Sequence, residues 1–207
     1  MTPVDEGETA AAGADRHARR RQATREELHR HALRLFQEQG YAATTVEQIA
    51  AAAGVSHMTF FRHFAAKDQV VLTDDHDARL QALVAQRPHD EPALQMVRGA
   101  IHHVLGEVYP THRDELLRRW RLVLVTPELR ARQAERALTT ERLIADGLAT
   151  HPGHNAGAVG TRAAAAAGLA CATAASLLWA ERDGVDELPQ LVDEAFDALT
   201  PRVDDGA

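Results

Sequence analysis

The residues whose types and spacing are most informative lie in segment 44–67, TTVEQIAAAAGVSHMTFFRHFAAK. Thr45 precedes an apolar stripe and is followed three residues later by Gln48, which is the pattern of a capping box at a helix start. Ser56 can cap a second short helix through its hydroxyl. Between them, Gly54 supplies the positive φ of a tight turn. The pattern predicts a helix-turn-helix, whose second helix can enter a DNA major groove.

A run of arginines precedes this motif. Residues 16–70 contain nine Arg and Lys against five Asp and Glu, although the whole chain has a net charge of -7. Because salt confines the field of a charge to about 10 Å, a local basic segment can bind phosphates even on an acidic protein. The alternative is a solvated extension of the first helix. We expect contact with phosphates or a minor groove from Arg16, Arg19, Arg20 and Arg21.

The motif resembles the TetR family, whose pattern is T-[TV]-x-x-I-A-x-x-A-G-V-S-x-x-[TA]-[FIL]-Y-x-[HY]-F-x-x-K. The resemblance implies an all-α fold, with an N-terminal three-helix helix-turn-helix DNA-binding domain and a C-terminal helical ligand-binding and dimerisation domain. Segment 59–64, followed by Val70 and Val71, is also similar to an actinobacterial subgroup associated with redox-cofactor or lipid-linked operons. The matching positions are Thr45, Ile49, Ala50, Ala53, Gly54, Val55, Ser56, Thr59, Phe60, His63, Phe64 and Lys67.

This resemblance also implies roles for single residues. Phe61 stands where the family has Tyr, so the usual hydroxyl contact is absent, although the ring can still touch a thymine methyl. Phe60 and Phe64, one turn apart, are expected in the core. The candidates for base or backbone contact on the second helix are His57, Met58, Thr59 and Arg62. The candidates for phosphate contact are Thr45, His63 and Lys67.

The composition divides the chain into three parts. Residues 1–15 are mostly Ala, Gly, Glu and Asp, which bury too little apolar surface to offset chain entropy, so we expect a disordered tail. Residues 16–70 form the expected DNA-binding domain, with a first helix capped by Thr24 and ended by Gly40 and a fourth helix starting near Lys67. Residues 71–207 form the expected effector-binding and dimerisation domain. Its predicted helices cover about 92–108, 114–125, 128–150, 159–181 and 188–199.

An uncharged stretch over 163–180 raises the question of a membrane span. Alanine dominates it, and alanine drives insertion far less than leucine or isoleucine. We therefore expect a buried helix of a bundle and no membrane partner. No apolar leader precedes the basic arm, and the single cysteine, Cys171, fits a reducing compartment with a buried, inert thiol. These features favour a cytoplasmic protein.

Apolar helices that carry Arg and His predict a small-molecule site in the C-terminal part. A ligand with an apolar body and an acidic or polar head would satisfy both kinds of side chain. The alternative is a solid core whose arginine heads lie in solvent. The expected apolar walls are Ile101, Leu105, Trp120, Leu124 and Ile144. The expected polar anchors are His102, Arg118 and Arg121.

The last two helices are expected to form a homodimer. The small-residue run 163–175 allows close helix approach, and the family pairs these helices with their symmetry mates. The side chains expected to supply apolar area for that interface are Leu177, Leu178, Trp179, Leu191, Val192 and Phe196.

No pattern in the sequence supports catalysis. The acidic cluster Asp74-Asp75-His76-Asp77 is consecutive, so its side chains would point in different directions on a helix. We expect no metal, no cofactor and no catalytic residue, which argues against a metal-dependent hydrolase. The long helical domain argues against a purely architectural DNA binder. The sequence predicts a DNA-binding transcriptional regulator, a repressor released from a near-palindromic operator by a small molecule.

Overall fold

The computed structural model describes residues 6–72 and 76–200. Within these ranges, every regular element is a helix. The chain divides into two compact units, Met1–Thr73 and Asp74–Ala207. The expectation of an all-α protein is confirmed over the described residues.

The first unit packs three short helices beside one long one. Their bounds are α1 Glu6–Gln39, α2 Val46–Ala52, α3 His57–His63 and α4 Gln69–Leu72. The core of the unit joins the inner face of α1 to the inner faces of the short helices. Its buried side chains are Leu28, Ala32, Leu33, Phe36, Tyr41, Ile49, Phe60, Phe64, Val70 and Val71.

The start of α1 differs from the prediction. Thr24 does not cap a helix but lies inside one, where its hydroxyl donates to the Arg20 carbonyl at 2.9 Å. The helix extends back to Glu6 because alanine and arginine, which are strong helix formers, dominate the residues between Glu6 and Thr24. A disordered tail is therefore wrong for residues 6–15, and residues 1–5 lie outside the described residues. Gly40 ends the helix with φ of 86°, as predicted.

The second unit is a helical bundle. Its helices are α5 His76–Ala85, α6 Ala93–Val125, α7 Pro127–Leu148, α8 Val159–Glu181 and α9 Leu188–Asp197. The two helices predicted over about 92–108 and 114–125 are one helix, α6, which continues past Pro110 with a kink where His112 has non-helical φ and ψ of -124° and 20°. Proline removes a hydrogen bond and crowds the preceding turn, which bends the helix without ending it. The helix predicted to start near Lys67 corresponds to α4, and α5 follows after residues 73–75, which lie outside the described residues.

One described helix, α8, is long and apolar enough to cross a membrane, judged by length and composition alone. It packs against α6, α7 and α9. Its buried residues recur every three or four positions and so lie on one face. They are Thr161, Ala165, Gly168, Cys171, Ala175, Ser176, Trp179 and Ala180. This one-sided burial supports the expected bundle helix.

Candidate nucleic-acid interface

The start of α2 and the start of α3 are both fixed by side-chain caps. The Thr45 hydroxyl accepts from the Gln48 amide at 3.3 Å, and the Gln48 side chain accepts from the Thr45 amide at 2.9 Å. The Ser56 hydroxyl accepts from the Thr59 amide at 3.1 Å. Gly54, with φ of 67°, makes the turn between the helices. The predicted capping box, turn and second cap are confirmed, and they hold α3 at a defined angle to α2.

Helix α3 has one buried and one exposed face. Phe60 and Phe64 are 0% and 2% exposed, as expected for core residues. Met58 is 69% exposed and Phe61 41%, and their spacing of three residues places them next to each other on the helix surface. The outward face of α3 therefore combines apolar surface with polar and charged groups. It consists of His57, Met58, Phe61 and Arg62.

Thr59 lies between these two faces. It is half-buried, and its hydroxyl accepts from an Arg62 nitrogen at 2.9 Å. This contact holds the Arg62 guanidinium close to the helix surface. Base or backbone contact by the residues of α3 stays a prediction.

A contact between His57 and Glu47 links α3 to α2, and the sequence analysis did not predict it. His57 Nε2 lies 3.3 Å from Glu47 Oε1, and the His57 ring meets Phe61 edge-on with centroids 4.7 Å apart. The pKa of Glu47 is lowered, mainly because its carboxylate accepts a hydrogen bond from its own backbone amide. A hydrogen bond from the Thr45 hydroxyl and the nearby His57 lower it further. The one feature of the sequence that pointed to this contact was Glu47, an acidic residue in the first turn of α2.

Arginines from α1 surround the end of α3. Arg25 donates to the His63 carbonyl at 2.9 Å, and its guanidinium lies 4.4 Å from the centre of the Phe64 ring. Burial lowers the pKa of His63, and the positive charges of Arg21, Arg25 and Arg62 lower it further. Sequence reasoning named Arg21 but missed Arg25. The predicted arm residues are exposed on α1, namely Arg16, Arg19, Arg20 and Arg21.

Lys67 occupies a more internal position than predicted. Its ammonium donates to the carbonyls of Tyr41 and Thr44 at 2.8 and 3.0 Å and lies 4.1 Å from the centre of the Tyr41 ring. An ammonium has three protons, so a third stays available for a phosphate. Lys67 thus holds the turn that carries Thr45, and its contact with DNA stays a prediction.

In the second unit, the predicted apolar walls of the ligand site lie in or beside one core. Ile101 and Ile144 are buried in the core cluster, and Leu105 and Trp120 pack against it. Leu124 is half-buried. The five side chains therefore suit either a solid core or the lining of a ligand site.

The predicted polar anchors are not brought together. His102 Nε2 lies 2.9 Å from a carboxylate oxygen of Asp193 on α9, in a cluster with Arg98. Arg121 pairs with Asp183 at 2.8 Å. Arg118 is exposed. His102 thus pairs with α9 and Arg121 with Asp183, whereas Arg118 is exposed to solvent.

The interface expected on the last two helices needs a correction. Four of the residues proposed for it are buried within the protomer itself, because α9 packs its apolar face onto the core. They are Trp179, Leu191, Val192 and Phe196. The outward side of α8 instead presents small side chains, with Leu177 and Leu178 half-buried. Its exposed alanines are Ala163, Ala170 and Ala174.

Part of the acidic cluster falls outside the described residues, namely Asp74 and Asp75. Asp77 is described, and its carboxylate pairs with Arg136 and accepts from the Thr140 hydroxyl. This carboxylate therefore joins α5 to α7.

Two family models match the chain. Residues 28–73 match the bacterial regulatory proteins of the tetR family, and residues 91–204 match the MftR C-terminal domain. Together they include the helix-turn-helix motif and helices α6 to α9 of the second unit. The second match agrees with the resemblance to an actinobacterial subgroup.

Relatives from actinobacteria match over part of the chain. The HTH-type transcriptional regulator TcmR of Streptomyces glaucescens is 40% identical over 142 residues, which are 65% of this chain and 63% of TcmR. MftR of Mycobacterium tuberculosis, named as a mycofactocin biosynthesis transcriptional regulator, is 33% identical over 56% of this chain and 59% of its own length. The matched region thus spans less than two thirds of either relative.

Solved structures share the fold at lower identity. The fatty acid degradation regulator FadR of Bacillus halodurans superposes with a TM-score of 0.56 at 18% identity, covering 87% of this chain and 96% of that one. Thermus thermophilus FadR, a TetR-family repressor in complex with lauroyl-CoA, superposes with a TM-score of 0.52 at 24% identity, covering 88% of this chain and 98% of that one.

Proposed function

Because this chain belongs to the TetR family of bacterial regulatory proteins, we propose that it is a cytoplasmic DNA-binding transcriptional repressor. Residues 16–70 bind a near-palindromic operator, and residues 71–207 dimerise and bind a small molecule that releases the DNA. The observation that carries this proposal is the outward face of α3. Met58 and Phe61 are exposed there beside Arg62, which suits thymine methyl groups, base edges and phosphates in a major groove.

The test of DNA binding is selection from a random double-stranded library, followed by fluorescence anisotropy on the selected sequence over a salt series. Arg62→Ala is expected to weaken binding to that sequence by about tenfold or more, as for loss of a base contact or phosphate contact. Arg132→Ala is the matched control, since Arg132 is an exposed arginine of α7 that pairs with Glu135 at 2.8 Å. Equal losses in the two variants, or no sequence selected by the wild type, would overturn the proposal.

We propose that the dimer forms through α8 and α9. The outward alanines of α8 let a second helix approach closely, and Leu177 adds apolar area. A dimer is needed because two recognition helices must reach successive major grooves, about 34–36 Å apart.

Light scattering tests this dimer. The wild type is expected to have the mass of two chains, and Ala170→Glu is expected to shift it toward one chain because it places a charge in the interface. Val125→Glu, at a site 73% exposed on α6, is the control and should stay dimeric. A wild type of one-chain mass, or an Ala170→Glu variant that dimerises as tightly as the control, would contradict this assignment.

We propose that the effector has an apolar body and an acidic or polar head, and that it enters beside α6 and α7. Ile101, Leu105, Trp120 and Ile144 supply the apolar contacts. Arg121 is the preferred anchor: among the described residues, its Nε is buried and meets no acceptor, although the same guanidinium pairs with Asp183. A carboxylate or phosphate oxygen would satisfy this donor.

A thermal-shift screen of hydrophobic acids, followed by operator titration with any hit, tests this site. Arg121→Gln is expected to weaken the hit's binding, whereas Arg118→Gln, at an exposed position on the same helix, is expected to leave it unchanged. Trp120→Ala should also weaken it. If Trp120→Ala leaves the affinity untouched, the ligand binds elsewhere.

A further inference from the structure

Glu47 is an unexpected residue for a surface that binds DNA. It lies in the first turn of α2, beside the Thr45 cap and therefore beside the expected path of a phosphate backbone. Its side chain is 68% exposed, so the carboxylate is not held there by burial. A negative charge at that place repels DNA phosphates. Besides its own backbone amide and the Thr45 hydroxyl, the carboxylate contacts the imidazole of His57 on α3.

The contact favours a proton on the nitrogen of His57 that faces Glu47. Nε2 lies 3.3 Å from Glu47 Oε1. An ionised carboxylate only accepts hydrogen bonds, so its charge favours the proton on Nε2 and leaves Nδ1 as the acceptor of a neutral imidazole. The lowered pKa of Glu47 is consistent with an ionised carboxylate at neutral pH.

Phe61 contacts the same ring. The two rings meet at 71° with centroids 4.7 Å apart, which is a favourable edge-to-face arrangement. His57 thus contacts both a carboxylate on α2 and an aromatic ring one turn along α3. Its side chain is nevertheless 48% exposed, so the imidazole stays open to a partner. Glu47 and Phe61 together limit both the tautomer and the rotation of this ring.

We propose that Glu47 is a specificity-determining, positioning residue that makes His57 present a hydrogen-bond acceptor to the amino group of an adenine or cytosine in the major groove. Those two bases carry the major-groove donors, at adenine N6 and cytosine N4, whereas guanine and thymine offer acceptors there. Without Glu47, the imidazole takes either tautomer and turns either nitrogen to the groove. The base preference then relaxes. This inference rests on the proposed DNA-binding function.

The test is a double-variant cycle read out by sequence selection, using the full-length chain. Wild type, Glu47→Ala, His57→Ala and the double variant are each taken through the same random library. In the wild type we expect an adenine or cytosine at one position of each half-site. Both single variants should relax that same position, lowering the discrimination ratio by about 2- to 12-fold, as for the loss of one hydrogen bond, and the double variant should relax it no further.

A second readout separates the charge of Glu47 from its action on His57. Removing the carboxylate should tighten binding to unrelated DNA by about two- to fivefold at low salt, in both the wild-type and the His57→Ala backgrounds. Glu38→Ala is the matched control, since it removes an exposed carboxylate of α1 that pairs with Arg34 at 2.8 Å. A role of Glu47 in helix stability alone would instead weaken binding to all DNA and lower the melting temperature. Melting curves of each variant check this alternative.

The outcomes separate this inference from the function on which it rests. If the wild type selects no sequence, the proposed function fails. If it selects one and Glu47→Ala selects the same bases with the same ratios, Glu47 does not set specificity. If Glu47→Ala relaxes a position that His57→Ala leaves intact, Glu47 contacts a base itself and the tautomer argument is overturned.

Discussion

Gly168 of α8 packs tightly against Val97 of α6. A Cβ placed on it would lie 2.4 Å from Cγ1 and 3.1 Å from Cβ of Val97. Val97 is fully buried, and a β-branched side chain on a helix has one strongly preferred rotamer, so it has no room to turn aside. We therefore expect Gly168→Ala to force the two helices apart or to strain Val97.

The expected size of this effect follows from two opposing contributions. Overpacking a core by one methyl costs about 1–3 kcal/mol, and a contact of 2.4 Å belongs at the upper end of that range. Alanine gains about 1 kcal/mol over glycine inside a helix. The net loss in the free energy of unfolding is about 2 kcal/mol, which corresponds to a melting temperature about 4–8 °C lower for a chain of this size.

Thermal melting at one fixed protomer concentration measures this change. Gly160→Ala on the same helix is the control, because nothing lies within 4 Å of its added Cβ. It is expected to melt at or slightly above the wild-type temperature. In the double variant with Val97→Ala, the combined loss should be at least about 1 kcal/mol smaller than the sum of the single losses. If Gly168→Ala melts like Gly160→Ala, the helices do not approach as described and the reasoning is refuted.

Three further predictions concern Lys67, His63 and Gly184. Lys67→Met should speed hydrogen exchange in the 40–45 turn and also weaken binding to all DNA; lost affinity with unchanged exchange would contradict its internal role. The pKa of His63 is lowered in the folded chain, so below about pH 6.5 the unfolded chain binds more protons than the folded one. The free energy of unfolding therefore decreases as the pH is lowered below that value. His63→Gln should shrink the difference between urea midpoints at about pH 7.5 and about pH 5.5. Gly184→Ala should lower the melting temperature, since its φ is 73° and the added Cβ would lie 2.6 Å from a Leu117 methyl; an unchanged melting temperature would contradict this.

The features that the sequence predicted well are those with a local cause. The capping box of Thr45 and Gln48, the turn at Gly54 and the cap at Ser56 each depend on residues within three or four positions. Such short-range hydrogen bonds and φ requirements are encoded by residue type and spacing alone. The alternation of buried and exposed positions on α3 follows in the same way, because a helix repeats every 3.6 residues.

The features that the sequence did not predict depend on residues far apart in the chain. Arg25 meets the end of α3 at residue 63, and Lys67 meets residues 41 and 44. Neither pair has a spacing that local rules describe. His102 was expected to face a ligand but meets Asp193 on α9, because the rotation of α6 against its neighbours decides which side chains point inward. The start of α1 was missed because no residue near Thr24 stops a helix that propensity favours.

The kink of α6 connects the proposed effector wall to the proposed dimer helices. Tyr109, next to Pro110, donates to the Glu187 carboxylate at 2.9 Å and accepts from Arg113 at 3.1 Å. Arg113 in turn donates to the Gly184 carbonyl, so the kink is tied to the turn between α8 and α9. A ligand that changes the kink therefore has to strain or break these contacts, or move the turn with them. Because coupling between two sites is reciprocal, an effector beside α6 that lowers the affinity for DNA would itself bind more weakly, by the same factor, to the DNA-bound dimer.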